Sequence, residues 1–314
     1  MRLVCTLYVC LAMAVTALPA AAQVPAAFEK PAAPGRLVDV GGGRRLHVVC
    51  KGSADGPSVI IEAGLSQYTA ASTYGKAQEA IAAFARVCVY DRAGMGWSDA
   101  VAEGRTHRGM VEDLHRLLEA ANIPSPYVLV GHSMGGLLVR QFVQAHRGDV
   151  VGVVLADATS ESIFEPQASA ARAGIIAQIE KGLTNGRPGV PVAPLPAGTA
   201  PEVAMSFTPA ILAAVKDEYQ AIDRAPADMR RRHGYGTLAD LPLVVVRRGR
   251  TAQPPSVVDT LWRAEQEQLP GLSGNSILVV ADHSGHVIPF DEPAVVADAV
   301  RRVISAWRRN GRVE

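Results

Sequence analysis

Five residues, Gly131-His132-Ser133-Met134-Gly135, constrain this chain more than any other stretch. The apolar run Tyr127-Val128-Leu129-Val130 before them is too short for a helix and suits a buried strand. Gly136 to Val143 after them reads as a helix. A glycine-x-serine-x-glycine turn between strand and helix holds the serine on a strained corner, and the glycines are needed because a Cβ would meet neighbouring backbone. The pentapeptide alone recurs by chance. Strand, turn and helix in succession point to a serine nucleophile at Ser133.

Arg2 gives a positive start, Leu3 to Leu18 is apolar, and Ala20-Ala21-Ala22 before Gln23 offers a small-residue cleavage site. This is the pattern of a secretory signal peptide over residues 1–22, and the run is short for a bilayer span. The expectation is a secreted or periplasmic chain with no stable membrane anchor. Cys10 follows Val9, where a lipidated cysteine wants a small residue. Roughly 290 remaining residues fit one large α/β domain, or one domain with an insertion. A hydrophobic content of 48% is ample for a core, and a formal net charge of +1 leaves no electrostatic footprint for nucleic acid. Arg230-Arg231-Arg232 and Arg247-Arg248 read as solvated loop charge. Of the four cysteines, Cys50 and Cys88 survive removal of the leader. Both sit in strand-like runs, so they form either a cross-strand disulfide in an oxidising compartment or two buried thiols.

Along the chain, Arg36 to Val40 and Arg44 to Cys50 flank Gly41-Gly42-Gly43 as a hairpin. Strands at Ser58 to Glu62, Val87 to Tyr90 and Val150 to Ala156 alternate with helices at Ala77 to Phe84 and Thr106 to Ala121. Strands that are apolar on both faces and alternate with helices imply a mostly parallel sheet between helix layers. The rhythm breaks over residues 159–239, where helical patches at Ser169 to Leu183 and Ala210 to Ala221 surround a Pro/Gly-rich segment. That stretch reads as an inserted, mainly helical cap, leaving residues 23–158 and 240–314 as the core. Strands resume at Leu243 to Val246 and Ser276 to Val280, with helices at Ser256 to Gln268 and Glu292 to Arg308.

Over essentially its whole mature length the chain resembles the α/β-hydrolase superfamily. Four features carry the resemblance in order: Glu62-Ala63-Gly64-Leu65 after the third strand, Asp91-Arg92-Ala93-Gly94-Met95-Gly96-Trp97-Ser98 after the fourth, the elbow at Ser133, and Ser284-Gly285-His286 after the last strand. The resemblance implies an eight-stranded, mostly parallel sheet with helices on both faces, and a structural role for the turn from Asp91 to Ser98. It also implies that the second strand lies beside the fourth, which favours a Cys50–Cys88 bridge.

A serine hydroxyl needs a base to take its proton. His286 matches the family's histidine position and is preferred to His283. His132 is read as a packing residue, and no carboxylate or cysteine set accompanies the histidines, so no metal is expected. The third member is a carboxylate that fixes the histidine tautomer. Its usual place, after the seventh strand, holds Arg247-Arg248-Gly249-Arg250 instead, with no acid until Asp259. Asp157, after the sixth strand, is the preferred candidate, and Asp259 stays open beside it. The resemblance implies an oxyanion hole from the backbone amides of Leu65 and Met134. The resulting expectation is a serine hydrolase without cofactor acting on a small, apolar carboxylic ester. The rivals are a proline-releasing aminopeptidase, an acyltransferase and, last, a non-catalytic binding protein. The aminopeptidase would need acids to grip an amino terminus, and Glu161, Glu165, Asp217 and Glu218 are the candidates in the insertion.

Overall fold

A computed structural model describes residues 30–53, 56–66, 68–101, 104–184, 199–231, 233–251 and 254–314. The expected leader, residues 1–22, and most of the Pro/Gly-rich segment, residues 185–198, lie outside the described residues. Eight strands form one sheet: β1 (Arg36–Asp39), β2 (Arg45–Lys51), β3 (Ser58–Glu62), β4 (Val87–Tyr90), β5 (Tyr127–His132), β6 (Val150–Ala156), β7 (Leu243–Arg248) and β8 (Ser276–Ala281). Their spatial order is β1-β2-β4-β3-β5-β6-β7-β8. The first two pairings, β1 with β2 and β2 with β4, are antiparallel, and every later one is parallel. The helices are α1 (Ala70–Ala82), α2 (His107–Ala120), α3 (Gly135–Ala145), α4 (Pro166–Thr184), α5 (Pro201–Met205), α6 (Pro209–Asp223), α7 (Val257–Gln268), α8 (Ile288–Asp291) and α9 (Pro293–Arg309).

The central strands are apolar throughout because each face meets its own helix layer. Ile60, Cys88, Leu129, Val153, Leu155 and Val245 pack with Met110, Leu114, Leu138 and Phe142 of α2 and α3. Their neighbours Val59, Ile61, Val87, Val128, Val130, Val154 and Val244 pack with Tyr74 and Ile81 of α1 and with Val296, Val300 and Val303 of α9. The side-chain period of two along each strand sends successive residues to opposite layers. Helix α2 keeps the bounds expected for it, because Thr106 caps its first turn by accepting from the Gly109 amide. Cys50 stands directly opposite Cys88 in the β2–β4 register, and the two are joined by a disulfide.

Helices α4, α5 and α6 all lie in the segment between β6 and β7. Ile175 and Ile179 of α4 pack with Ile211, Leu212, Val215 and Tyr219 of α6 and with Met95 from the turn after β4. No helix among the described residues is long and apolar enough to cross a membrane.

Candidate active site

The six parallel strands, β3 to β8, end along one edge of the sheet, and the residues singled out above follow those ends. β5 stops at His132, and Ser133 turns the chain into α3 with φ of 51°, a left-handed conformation that costs a non-glycine residue on the order of 1–3 kcal/mol. The corner is tied to the next strand: the Ser133 amide donates to the Ala156 carbonyl at 3.3 Å, and the Thr159 amide donates to the Ser133 carbonyl at 2.9 Å. Its glycines are there for space. A Cβ on Gly135 would lie 2.3 Å from the Glu62 carbonyl oxygen, and one on Gly131 would lie 2.7 Å from the Gly135 carbonyl oxygen. Across from the serine, a Cβ on Gly64 would come within 2.9 Å of Ser133 Cβ, so the loop after β3 faces the serine side chain.

Asp157 follows β6 directly, is fully buried, and also has a positive φ, 43°. Its Oδ2 accepts from His286 Nδ1 at 2.7 Å and from Arg248 Nη1 at 3.1 Å, while Oδ1 accepts from the Arg248 amide at 3.2 Å. Burial alone would raise this carboxyl, but the His286 hydrogen bond and the Arg248 charge outweigh it and hold the group below the usual aspartate range. The loop after β8 brings His286 in from the far side, with Trp262 of α7 edge-on to its ring at 5.5 Å. His283 is exposed, and its amide donates to Glu292. Asp259 does something else: it is the third residue of α7 and closes a capping box with Ser256, accepting from that residue's amide at 3.1 Å and its hydroxyl at 2.6 Å. Its other oxygen accepts from Arg248 Nη2 at 3.2 Å.

Arg248 therefore departs from the solvated-loop reading of the Arg247-Arg248 pair. It is the last residue of β7, buried, and stands between the two candidate carboxylates. Two buried carboxylates near one another would repel, and a shared guanidinium removes most of that cost.

Met134 follows Ser133 in the chain, and Leu65 follows Gly64 in the loop that faces it. Among the described residues neither amide donates to a backbone carbonyl. The loop after β3 is clamped by Arg92, which donates to the carbonyls of Ala63 and Gly64 at 2.6 and 2.8 Å. Arg92 is in turn paired with Glu62 at 2.8 Å and Glu218 at 2.7 Å, both buried. Asp91 accepts from the Ala70 and Trp97 amides and from His47, which makes the turn from Asp91 to Ser98 a structural one.

Three of the four acids offered for an amino terminus are engaged elsewhere. Glu218 pairs with Arg92 and Arg105, Asp217 with Arg105 and Arg224, and Glu161 with Arg140. Glu165 is exposed. A separate cluster, His115, His146 and Asp149, brings possible metal-ligand atoms within 4.8 Å of one another. Its two imidazoles stack at 3.8 Å with planes only 6° apart. In-plane lone pairs on parallel rings do not converge on one ion. The cluster also lies at the far end of α3 from Ser133, about 20 Å away at 1.5 Å per residue.

Against known families, residues 63–299 match the model of the alpha/beta hydrolase family. The chain belongs to that family. It is 24% identical to the uncharacterized protein YqjL of Bacillus subtilis (strain 168) over 262 residues, covering 82% of this chain and 87% of that protein. It is 30% identical over 154 residues to an uncharacterized protein of Schizosaccharomyces pombe, covering 41% of this chain and only 29% of the longer relative. Among solved structures, a thermophilic esterase from Thermogutta terrifontis superposes with a TM-score of 0.60 at 20% identity, covering 87% of this chain and 97% of that one. Such a likeness shows the fold.

Two histidines of this alpha/beta hydrolase are held neutral. Burial, with the charge of His286 beside it, lowers His132 to about 3, and burial lowers His107 to about 4. An unfolded chain protonates both near 6.5, so the folded state binds fewer protons between about 4 and 6.5 and stability falls as pH drops through that window. Urea unfolding at pH 4.5 is expected to show about 3–5 kcal/mol less stability than at pH 7. A flat profile across the window would contradict the neutral burial of both rings.

Proposed function

We propose that this alpha/beta hydrolase is an exported serine hydrolase that cleaves carboxylic esters through an acyl-enzyme on Ser133. The observation that carries the reading is the 2.7 Å hydrogen bond from His286 Nδ1 to buried Asp157, made along the sheet edge where Ser133 turns into α3. With Nδ1 protonated and engaged, Nε2 of His286 carries the lone pair that takes the Ser133 proton. The serine oxygen attacks the ester carbonyl, and the Leu65 and Met134 amides stabilise the oxyanion. The imidazolium, balanced by Asp157, then protonates the departing alcohol. Water, deprotonated by the same histidine, attacks the acyl-enzyme and releases the acid. These steps call for no cofactor.

In this reading residues 23–158 and 240–314 form the catalytic core and residues 159–239 the cap. Leu65 packs against the apolar cluster that joins α4 and α6, which supports a small, apolar ester as substrate. The Cys50–Cys88 disulfide supports export, since such bonds persist in oxidising compartments. The arginine pairing of Glu161, Asp217 and Glu218 weighs against an aminopeptidase, because a substrate ammonium would have to displace a buried guanidinium. The test is a panel of p-nitrophenyl esters, acetate to octanoate, beside proline p-nitroanilide. Ester turnover without anilide cleavage is the expected result, and anilide cleavage without ester turnover would replace this reading with the peptidase.

A further inference from the structure

His132 is nearly fully buried, and both of its ring nitrogens have partners far away in sequence. Nδ1 lies 2.9 Å from the hydroxyl of Tyr74 on α1, and Nε2 lies 2.8 Å from the backbone carbonyl oxygen of His286. The Tyr74 hydroxyl also accepts from the Gly64 amide at 2.8 Å. Protons can be assigned to every link. A carbonyl oxygen has no hydrogen to give, so His132 Nε2 must carry one. The ring is neutral in its buried setting, so Nδ1 is then an acceptor and Tyr74 must donate to it. The Gly64 amide can only donate, and it does so to the lone pair that Tyr74 keeps. The resulting chain has one direction: Gly64 N–H to Tyr74 Oη–H to His132 Nδ1, then Nε2–H to the His286 carbonyl.

We propose that His132 is a positioning residue for His286, the residue through which α1 and the loop after β3 hold the histidine loop in register with Ser133. The proposal rests on the serine-hydrolase reading above. Its physical basis is how the histidine loop is otherwise fastened. The amides of His283 and Gly285 donate to Glu292 and Asp291, and the Ser284 carbonyl accepts from the Arg250 amide. Those contacts end one residue short of His286, and the next begin one residue after it, where the Val287 carbonyl accepts from the Phe290 and Asp291 amides. At His286 the side chain meets Asp157 through Nδ1 and the carbonyl meets His132. Losing the second contact lets the peptide rotate about the first, which moves Nε2 relative to the serine. The same chain reaches Gly64, the residue before the oxyanion donor Leu65, so base and oxyanion loop share one tether. Hydrogen bonds in series also polarise one another, and a relay that is satisfied at every link has a single low-energy arrangement.

Three variants and one spectrum test this. His132→Leu removes both contacts and is expected to lower kcat by about 10²-fold with KM changed less than about 2-fold, the signature of a misplaced base and not of weaker binding. His132→Gln restores a donor near the Nε2 position and is expected to recover about 10-fold of that loss. Tyr74→Phe frees His132 Nδ1 to take the proton, which would turn a lone pair onto the His286 carbonyl, and a kcat loss of about 10-fold or more is expected. A merely structural role would lower the yield of folded enzyme without this split between kcat and KM and without rescue by glutamine. The spectrum needs no variant to fold: ¹⁵N NMR of wild-type histidines is expected to show His132 as the Nε2–H tautomer, neutral down to pH 5. A proton on Nδ1, or a His132→Leu enzyme with native kcat, would overturn the proposal. Absence of ester turnover by the wild type would instead defeat the hydrolase reading, and the tautomer would still report on the relay.

Discussion

Replacing Ser133 with alanine is expected to lower kcat for p-nitrophenyl esters by about 10⁴-fold or more and to leave the protein folded. The size of the effect follows from the mechanism, because without the hydroxyl no acyl-enzyme forms, and the oxyanion donors alone accelerate attack by water only modestly. Folding should survive for a local reason. The residue already carries a Cβ at φ of 51°, so alanine adds no new strain, and the amide and carbonyl that tie the corner to Ala156 and Thr159 belong to the backbone. The pair of measurements is ester turnover and a urea melt. Turnover that persists in a folded Ser133→Ala enzyme would remove the nucleophile from the account.

The second large effect separates the two carboxylates. Asp157→Asn is expected to cost about 10³–10⁴-fold in kcat, since an amide group facing His286 Nδ1 can donate to it and leave the proton on Nε2, where it blocks acceptance from serine. Asp259→Asn is expected to weaken the capping box of α7, costing about 1 kcal/mol of stability, with kcat within a few-fold of wild type. The contrast is sharp because both residues touch the same arginine and only Asp157 touches the imidazole. A near-native Asp157→Asn enzyme, or a loss in Asp259→Asn as large as that in Asp157→Asn, would reassign the acid.

The parts of the molecule legible in the chain are those whose signal is local. Strands Ser58–Glu62, Val87–Tyr90 and Val150–Ala156 are short, doubly buried apolar runs and have the bounds expected of them. The elbow is legible because its glycines answer to backbone packed within a few residues or on the adjoining strand. Helix α1 is legible only in its second half. It begins at Ala70, seven residues before the apolar pattern starts, since Ser72, Thr73 and Gly75 are weak helix formers and the Thr69 cap and the burial of Tyr74 decide the matter. That hidden turn supplies the hydroxyl that His132 needs.

What lies beyond reading along the chain is pairing at a distance. His132 looks like packing because its partners stand 58 and 154 residues away. A buried histidine must satisfy two nitrogens, and that requirement is the one hint its position offers. Arg248 reads as loop charge for the same reason, as the carboxylate that makes it a buried residue follows a different strand, 91 positions earlier. Asp157 could be preferred from its place after the sixth strand, yet its advantage over Asp259 rests on where β8 delivers His286.

Covalent trapping reports on the nucleophile itself. A fluorophosphonate reacts with a serine only when a neighbouring base activates it and an oxyanion site receives the phosphoryl oxygen. Intact mass and peptide mapping of the disulfide-bonded protein are expected to show one adduct per chain, on the peptide that contains Ser133, with His286→Ala unlabelled over the same time. An adduct on another residue, or a folded wild-type protein that remains unlabelled, would contradict a triad built on Ser133, His286 and Asp157.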